Sequence, residues 1–77
     1  MSTDTLRLLS VQLHPGNQYE PRHTRATYFD TESREYVARA TIGTEIIVEV
    51  TGVNNIAAEM TLSTRLVEVF QAMKAVA

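Results

Sequence analysis

The densest group of side chains able to do chemistry lies between residues 19 and 39. Four of the seven cationic residues and four of the five aromatic residues of the chain fall in this window. Guanidinium groups beside exposed aromatic rings hold single-stranded nucleic acid, because the cations contact phosphates and the rings stack on bases. One functional hypothesis is therefore nucleic-acid binding. Its residues are Arg22, Arg25, Arg34, Arg39 and Tyr19.

Acidic residues in the same window weaken that hypothesis. Glu20, Asp30, Glu32 and Glu35 cancel its positive charge, and the whole chain carries a formal net charge of −2. Such a chain has no overall field that attracts nucleic acid or an anionic membrane. The simpler interpretation is a mixed-charge sheet edge with tyrosines in the core.

Metal binding has weak support in the sequence. His14 and His23, with Glu20, are the residue types that bind transition metals, but they lie in a proline-bearing loop without helical or hairpin spacing. A metal site needs ligands that converge on one point. The chain has no cysteine, so a zinc-cysteine site is excluded as well. We predict no metal and no cofactor.

The serine residues show no catalytic context. Ser10, Ser33 and Ser63 lie outside any Gly-x-Ser-x-Gly elbow, and the three glycines form no phosphate-binding loop. An enzyme would need Glu45 or Glu49 to converge with a histidine at a subunit interface. We therefore expect a non-enzymatic protein.

The element expected to cover these residues is a C-terminal helix over 63–77. Its apolar residues recur with helical spacing, and Ser63 or Thr64 can cap its first turn. The 4-3 spacing of one apolar row is typical of a coiled coil, but it spans only two heptads and favours a stripe facing the protein's own sheet. That row is Leu62, Leu66, Val69, Met73 and Val76.

The segment 56–62 has two interpretations. A helix beginning after Asn55 would place Glu59 in the middle of the apolar stripe. A strand would turn Glu59 to solvent, because the apolar residues around it alternate strictly. We favour the strand. The alternating residues are Ile56, Ala58, Met60 and Leu62.

Four strands are predicted before this segment, at 5–13, 24–30, 36–42 and 45–51. The first has an impure pattern, since Leu6 and Leu8 point one way and Leu9, Val11 and Leu13 the other.

A five-residue loop at 31–35 would pair Asp30 with Tyr36 and sort the side chains onto two faces. The helix-covered face would carry Ala26, Tyr28, Tyr36, Ala38 and Ala40. The other face would carry Arg25, Thr27, Phe29, Val37, Arg39, Ile47 and Glu49.

These elements predict an α+β fold in a single domain over 1–77. It comprises a disordered N-terminus at 1–4, an antiparallel four- or five-stranded β-meander at 5–62 and a helix at 63–77 packed on one face. A first segment without a signal-peptide pattern, and no apolar run long enough to span a bilayer, predict a cytoplasmic protein without membrane contact.

The favoured function is a non-enzymatic protein-interaction module. A 77-residue chain without disulfides or a zinc staple is marginally stable alone, so we expect a homodimer. A further protein partner is expected on the sheet face, because that face holds more apolar residues than a solvated surface needs. The predicted partner residues are Phe29, Val37, Ile47, Arg25 and Arg39.

Overall fold

Four antiparallel strands form one sheet, and a single helix packs across one of its faces, in the computed structural model of the protein, which describes residues 5–76. The strand order is that of the chain, so the sheet is a meander. The predicted α+β fold is confirmed, and the described part of the chain has four strands. The predicted disorder of 1–4 lies outside the described residues. The elements are β1 (Leu6–His14), β2 (His23–Asp30), β3 (Tyr36–Ile42), β4 (Ile46–Gly52) and α1 (Asn55–Val76).

The helix begins eight residues earlier than its predicted start at 63, so the predicted strand at 56–62 is wrong. Asn54 caps it: its side-chain Oδ1 accepts a hydrogen bond from the Ala57 N–H at 2.7 Å, and its carbonyl accepts from the Ala58 N–H at 3.0 Å. The predicted caps, Ser63 and Thr64, lie inside the helix. The asparagine cap fixes where the helix starts.

Glu59 is the residue that made a helix over 56–62 look unfavourable in the sequence. The helix turns Glu59 towards the sheet, where its carboxylate accepts a hydrogen bond from the Thr27 hydroxyl at 3.2 Å. A polar group facing a sheet is tolerated when it has a hydrogen-bond partner there. The strict alternation of apolar residues over 56–62 therefore does not indicate a strand.

The core is a stripe of the helix packed on small residues of the sheet. Buried residues recur every fourth position along α1, and they contact β3 at Ala38, Ala40 and Ile42. Val69 and Met73 pack partly buried against the same cluster. The 4-3 row thus faces the protein's own sheet as predicted, although the side chain of Val76 lies outside the described residues. The buried helical residues are Ala58, Leu62, Leu66 and Phe70.

The register between β2 and β3 differs by one residue from the predicted one, because of the turn that joins the two strands. The Asp30 N–H donates to the Glu35 carbonyl at 2.9 Å, and the Arg34 N–H donates to the Asp30 carbonyl at 2.8 Å. Arg34 adopts a φ of 60°, which lets the chain close the turn one residue sooner than predicted. Phe29, not Asp30, therefore pairs with Tyr36.

The shifted register exchanges the two faces of β2. Ala26 and Tyr28 lie on the side away from the helix, whereas Arg25, Thr27 and Phe29 lie on the helix side. On β3 and β4 the predicted faces are correct. Ala38, Ala40 and Val48 face the helix, and Val37, Arg39, Ile47 and Glu49 face away.

A β-bulge at Leu9 resolves the impure pattern of the first strand. Leu8 pairs with Tyr28 and Ser10 pairs with Thr27, so Leu9 is an extra residue in β1. Because the extra residue inverts the alternation, all residues of β1 that share the face away from the helix are apolar. They are Leu6, Leu8, Val11 and Leu13.

Phe70 tests the orientation of the helix. Replacing buried Phe70 with Ala removes the largest ring of the core, and we expect the free energy of unfolding to fall by about 3–5 kcal/mol. Val67→Ala is the control, because Val67 lies exposed on the same helix and should cost less than about 0.5 kcal/mol. Urea unfolding measures both. Equal effects would mean that the helix faces the other way.

Gly52 tests the approach of the helix to the sheet. A Cβ atom at Gly52 would lie 2.6 Å from the backbone N of Ala58, closer than van der Waals contact allows. We expect Gly52→Ala to destabilise the fold by roughly 1–3 kcal/mol, since backbone must move. Gly43→Asn is the control, because Gly43 has open space around it and Asn tolerates its φ of 64°. A neutral Gly52→Ala would contradict this close packing.

Candidate functional site

The side of the sheet away from α1, here called the open face, is not covered by the helix. Its apolar side chains on the outer strands are strongly exposed: Leu8 by 58%, Leu13 by 59% and Ile47 by 63%, with Val11 similar. Single exposed apolar residues are normal on soluble proteins, but a contiguous group marks a contact surface. The open face comprises Leu6, Leu8, Val11, Leu13, Thr24, Ala26, Tyr28, Asp30, Val37, Arg39, Thr41, Ile47, Glu49 and Thr51.

An ion pair lies in the β3–β4 half of the open face. Arg39 and Glu49 lie opposite each other on β3 and β4, with Nη2 and Oε2 2.6 Å apart. The Arg39 guanidinium also lies 5.1 Å from the ring centroid of Tyr28. These contacts neutralise both charges within the face, so the apolar residues around them decide what can pack there.

The structure divides the predicted partner surface. Val37, Arg39 and Ile47 lie on the open face, whereas Arg25 and Phe29 lie on the helix side because of the one-residue shift in register. Phe29 packs edge-on against Tyr36 with ring centroids 5.0 Å apart. Sequence reasoning missed the apolar row of β1, because nothing in the sequence marks the position of the bulge.

A second surface, the polar cleft, lies on the helix side. The helix packs mainly on β3 and β4 and only slightly on β2, so the helix-side residues of β1 and β2 are left partly open. The resulting cavity has a volume of about 170 Å³. Apart from one leucine, every residue that lines it is polar or charged. They are Ser10, Gln12, Arg25, Thr27, Glu59, Leu62 and Ser63.

His14 and His23 lie beside the polar cleft with their rings stacked at a centroid distance of 4.7 Å. His23 is buried, and its Nδ1 lies 2.8 Å from the Pro21 carbonyl oxygen. The Arg25 Nε–H donates to His23 Nε2 at 2.9 Å. Since Nε2 accepts, the proton of the neutral ring belongs on Nδ1, where it bonds Pro21. His23 therefore holds Arg25 in place.

The same geometry argues against a metal at these histidines. Lone pairs of imidazole lie in the ring plane, and two stacked rings with an interplanar angle of 9° do not aim them at one point. Both nitrogens of His23 already have partners. Over residues 5–76 no group of three or more His, Cys, Asp or Glu side chains is placed to hold a metal ion.

The four arginines of the nucleic-acid hypothesis lie in separate places. Arg25 is in the polar cleft, Arg39 is paired on the open face, and Arg22 and Arg34 are exposed in the two loops that flank β2. Tyr19 is exposed beside the C-terminal end of the helix. These residues share no single face, and nucleic-acid binding by them stays a prediction.

The residues considered for catalysis are also distributed. Ser10 and Ser63 both line the polar cleft, whereas Ser33 accepts a turn hydrogen bond from the Glu35 N–H at 3.3 Å. Glu49 lies on the open face, across the sheet from both histidines. The arrangement brings together hydrogen-bonding groups of opposite charge, which suits binding rather than a defined reaction.

The chain matches no protein-family model, and comparison with curated proteins and with solved structures finds no match either. Between residues 5 and 76, no helix combines the length and the apolar character needed to cross a membrane.

His14 makes the stability of the fold depend on pH. Burial lowers the pKa of His14 below 6.5, and the charge of Arg25 lowers it further, while Glu20 opposes them. Its Nε2 is buried without a hydrogen-bond partner among the described residues. Because the unfolded chain binds the proton more readily, the stabilisation is complete above pH 6.5 and is lost as the pH falls towards the lowered pKa.

We expect His14→Gln to reduce the loss of stability between pH 7 and pH 5, because it removes this group from the titration. Chemical denaturation at a series of pH values measures the slope. An unchanged slope in the variant would show that His14 does not contribute to it.

Proposed function

We propose that this protein is a non-enzymatic interaction module that pairs with a second copy of itself through the open face. The observation that carries the proposal is the bulge at Leu9, which gathers the apolar side chains of β1 on the side that has no helix. The helix and the sheet already form two layers, but the open face of the sheet carries exposed apolar side chains where a solvated face normally carries polar ones. A second sheet packed on this face would cover them.

The size of the open face supports a dimer. Four strands spaced about 4.8 Å apart, with about 23 Å in each, give a projected area of roughly 450 Å². Protruding side chains make the accessible area larger than this projection, so two copies bury on the order of 1,000 Å² or more in total. That area reaches the lower bound of specific protein interfaces.

The distribution of residues favours a second copy over an unrelated partner. A two-fold axis parallel to the strands places β1 of one copy over β4 of the other, so that Leu13 lies over Ile47 of the second copy at both margins. The Arg39–Glu49 pair is neutral as a unit and lies over Ala26 and Val11 of the second copy, so that no like charges face each other. The β1 margin of the face is thus apolar, the β4 margin offers Ile47 to it, and the Arg39–Glu49 charges are paired within each copy, so that the face can meet itself.

Because the domain is small, pairing through the open face should also stabilise its fold. A chain of 77 residues buries a limited fraction of its surface, and pairing adds apolar burial on four exposed side chains per copy. The stability of the fold should therefore rise with protein concentration.

Sedimentation equilibrium tests the proposal directly. The wild-type chain of 8.6 kDa should sediment as a dimer at micromolar concentration. Leu13→Lys and Ile47→Lys place a charge on opposite margins of the open face and should each give a monomer. Both residues are exposed, so the fold of each monomer should persist.

Met60→Lys is the matched control. Met60 is 66% exposed, but it lies on the helix, away from the open face, so its variant should remain a dimer. A wild-type monomer at 100 μM, roughly the upper range of such experiments, would overturn the proposal. Loss of the dimer in Met60→Lys but not in Leu13→Lys would move the interface to the helix.

A further inference from the structure

We propose that the polar cleft binds a small zwitterion that carries a carboxylate and an ammonium group, such as a small α-amino acid. The cleft lies on the other side of the sheet from the open face, so this binding does not depend on self-association. Its evidence is the pairing of one cation and one anion in the same cavity, each with unused hydrogen-bonding capacity.

Arg25 is the cation of the cleft, and its side chain is already oriented. Its Nε–H donates to His23, and its Nη1 donates to the Ser63 hydroxyl at 3.1 Å. Both acceptors are neutral, and over residues 5–76 no carboxylate lies within 4.0 Å of the guanidinium. A half-buried guanidinium with further donors and no counter-ion is a site for a carboxylate.

Glu59 is the anion, on the helical wall of the cleft. One of its oxygens accepts from the Thr27 hydroxyl, and its carboxylate makes no ion pair within the described part of the chain. A carboxylate in this position accepts hydrogen bonds from an ammonium group. Glu59 also disfavours a plain anion at Arg25, because it would repel that anion.

The spacing of the two charges fits one small molecule. Arg25 and Thr27 lie on the same face of β2, about 6.5–7 Å apart along the strand, and Glu59 and Ser63 lie one helical turn apart. The Arg25–Ser63 and Thr27–Glu59 contacts therefore lie next to each other, and both join β2 to α1. A molecule whose opposite charges are separated by one or two carbon atoms can reach both.

The volume of the cleft sets the size of the ligand. A cavity of about 170 Å³ has the volume of roughly five or six water molecules. Glycine, alanine and serine, with five to seven non-hydrogen atoms, are of this size. So few atoms in a cleft open to solvent bind weakly, with a dissociation constant on the order of 1 mM.

Titration of the ¹⁵N-labelled protein, followed by amide chemical shifts, tests the proposal. Alanine should shift the amides of 10–12, 25–27 and 59–63 in a saturable manner. Propionate lacks the ammonium group and ethylamine lacks the carboxylate, so each should bind at least about tenfold more weakly than alanine. Saturable alanine binding at this cleft, together with that difference, supports the zwitterion site.

Variants assign the roles of the residues. Arg25→Gln and Glu59→Gln should each weaken alanine binding by about tenfold or more. Arg65→Gln and Glu68→Gln are matched controls, because this exposed helical pair lies outside the cleft, and both should bind as the wild type does. Thr27→Val keeps the shape of the side chain and removes the hydroxyl that orients Glu59. If Arg25→Gln fails to fold, this variant tests whether the orientation of Glu59 matters for alanine binding.

Three results would overturn the proposal. The first is the absence of shifts at about 50 mM alanine, well above the expected dissociation constant. The second is equal binding of propionate and alanine, which would make the cleft a simple anion site. The third is equal weakening by the control variants, which would show only non-specific charge effects.

Discussion

The β-bulge at Leu9 determines which side chains of β1 face the helix and which face away. Without the extra residue, Leu6 and Leu8 would lie on one face and Leu9, Val11 and Leu13 on the other. With it, Leu6, Leu8, Val11 and Leu13 lie on the open face, Leu9 lies near Arg7 and Phe29 on the helix side, and Ser10 and Gln12 face the polar cleft. Bulges are often found where a side chain must be re-aimed or where pairing is interrupted. Both proposed binding surfaces therefore depend on one inserted residue.

The position of the helix is the second constraint. Its stripe from Ala58 to Phe70 packs on the small residues Ala38 and Ala40, so α1 lies over β3 and β4. The helix cannot cover β1 as well, and the polar groups of β1 and β2 are left beside its margin. Glu59 and Ser63 complete the cleft from the helix side. The polar residues of the cleft border a hydrophobic core that is centred on β3 and β4.

Much of the architecture follows from the sequence, since the four strands, the packed helix and the alanine-lined face were predictable from periodicity. Three local features were not. The cap is Asn54, which the sequence does not distinguish from the predicted caps Ser63 and Thr64, the left-handed φ of Arg34 has no glycine to signal it, and the bulge leaves no marker residue. Because alternation in a strand has a period of two, each single-residue error exchanged faces. Arg25 and Phe29 were misplaced for this reason, and the polar cleft was missed.

Both proposed binding surfaces depend on the register of β1 against β2, and cross-strand nuclear Overhauser effects measure this register without altering the chain. We expect Leu8 to contact Tyr28 and Val11 to contact Ala26, with Leu9 lacking a partner of its own. An unbroken register from Leu8 onwards would instead pair Ser10 with Ala26. That result would turn Val11 and Leu13 towards the helix, and it would remove the open face and the polar cleft together.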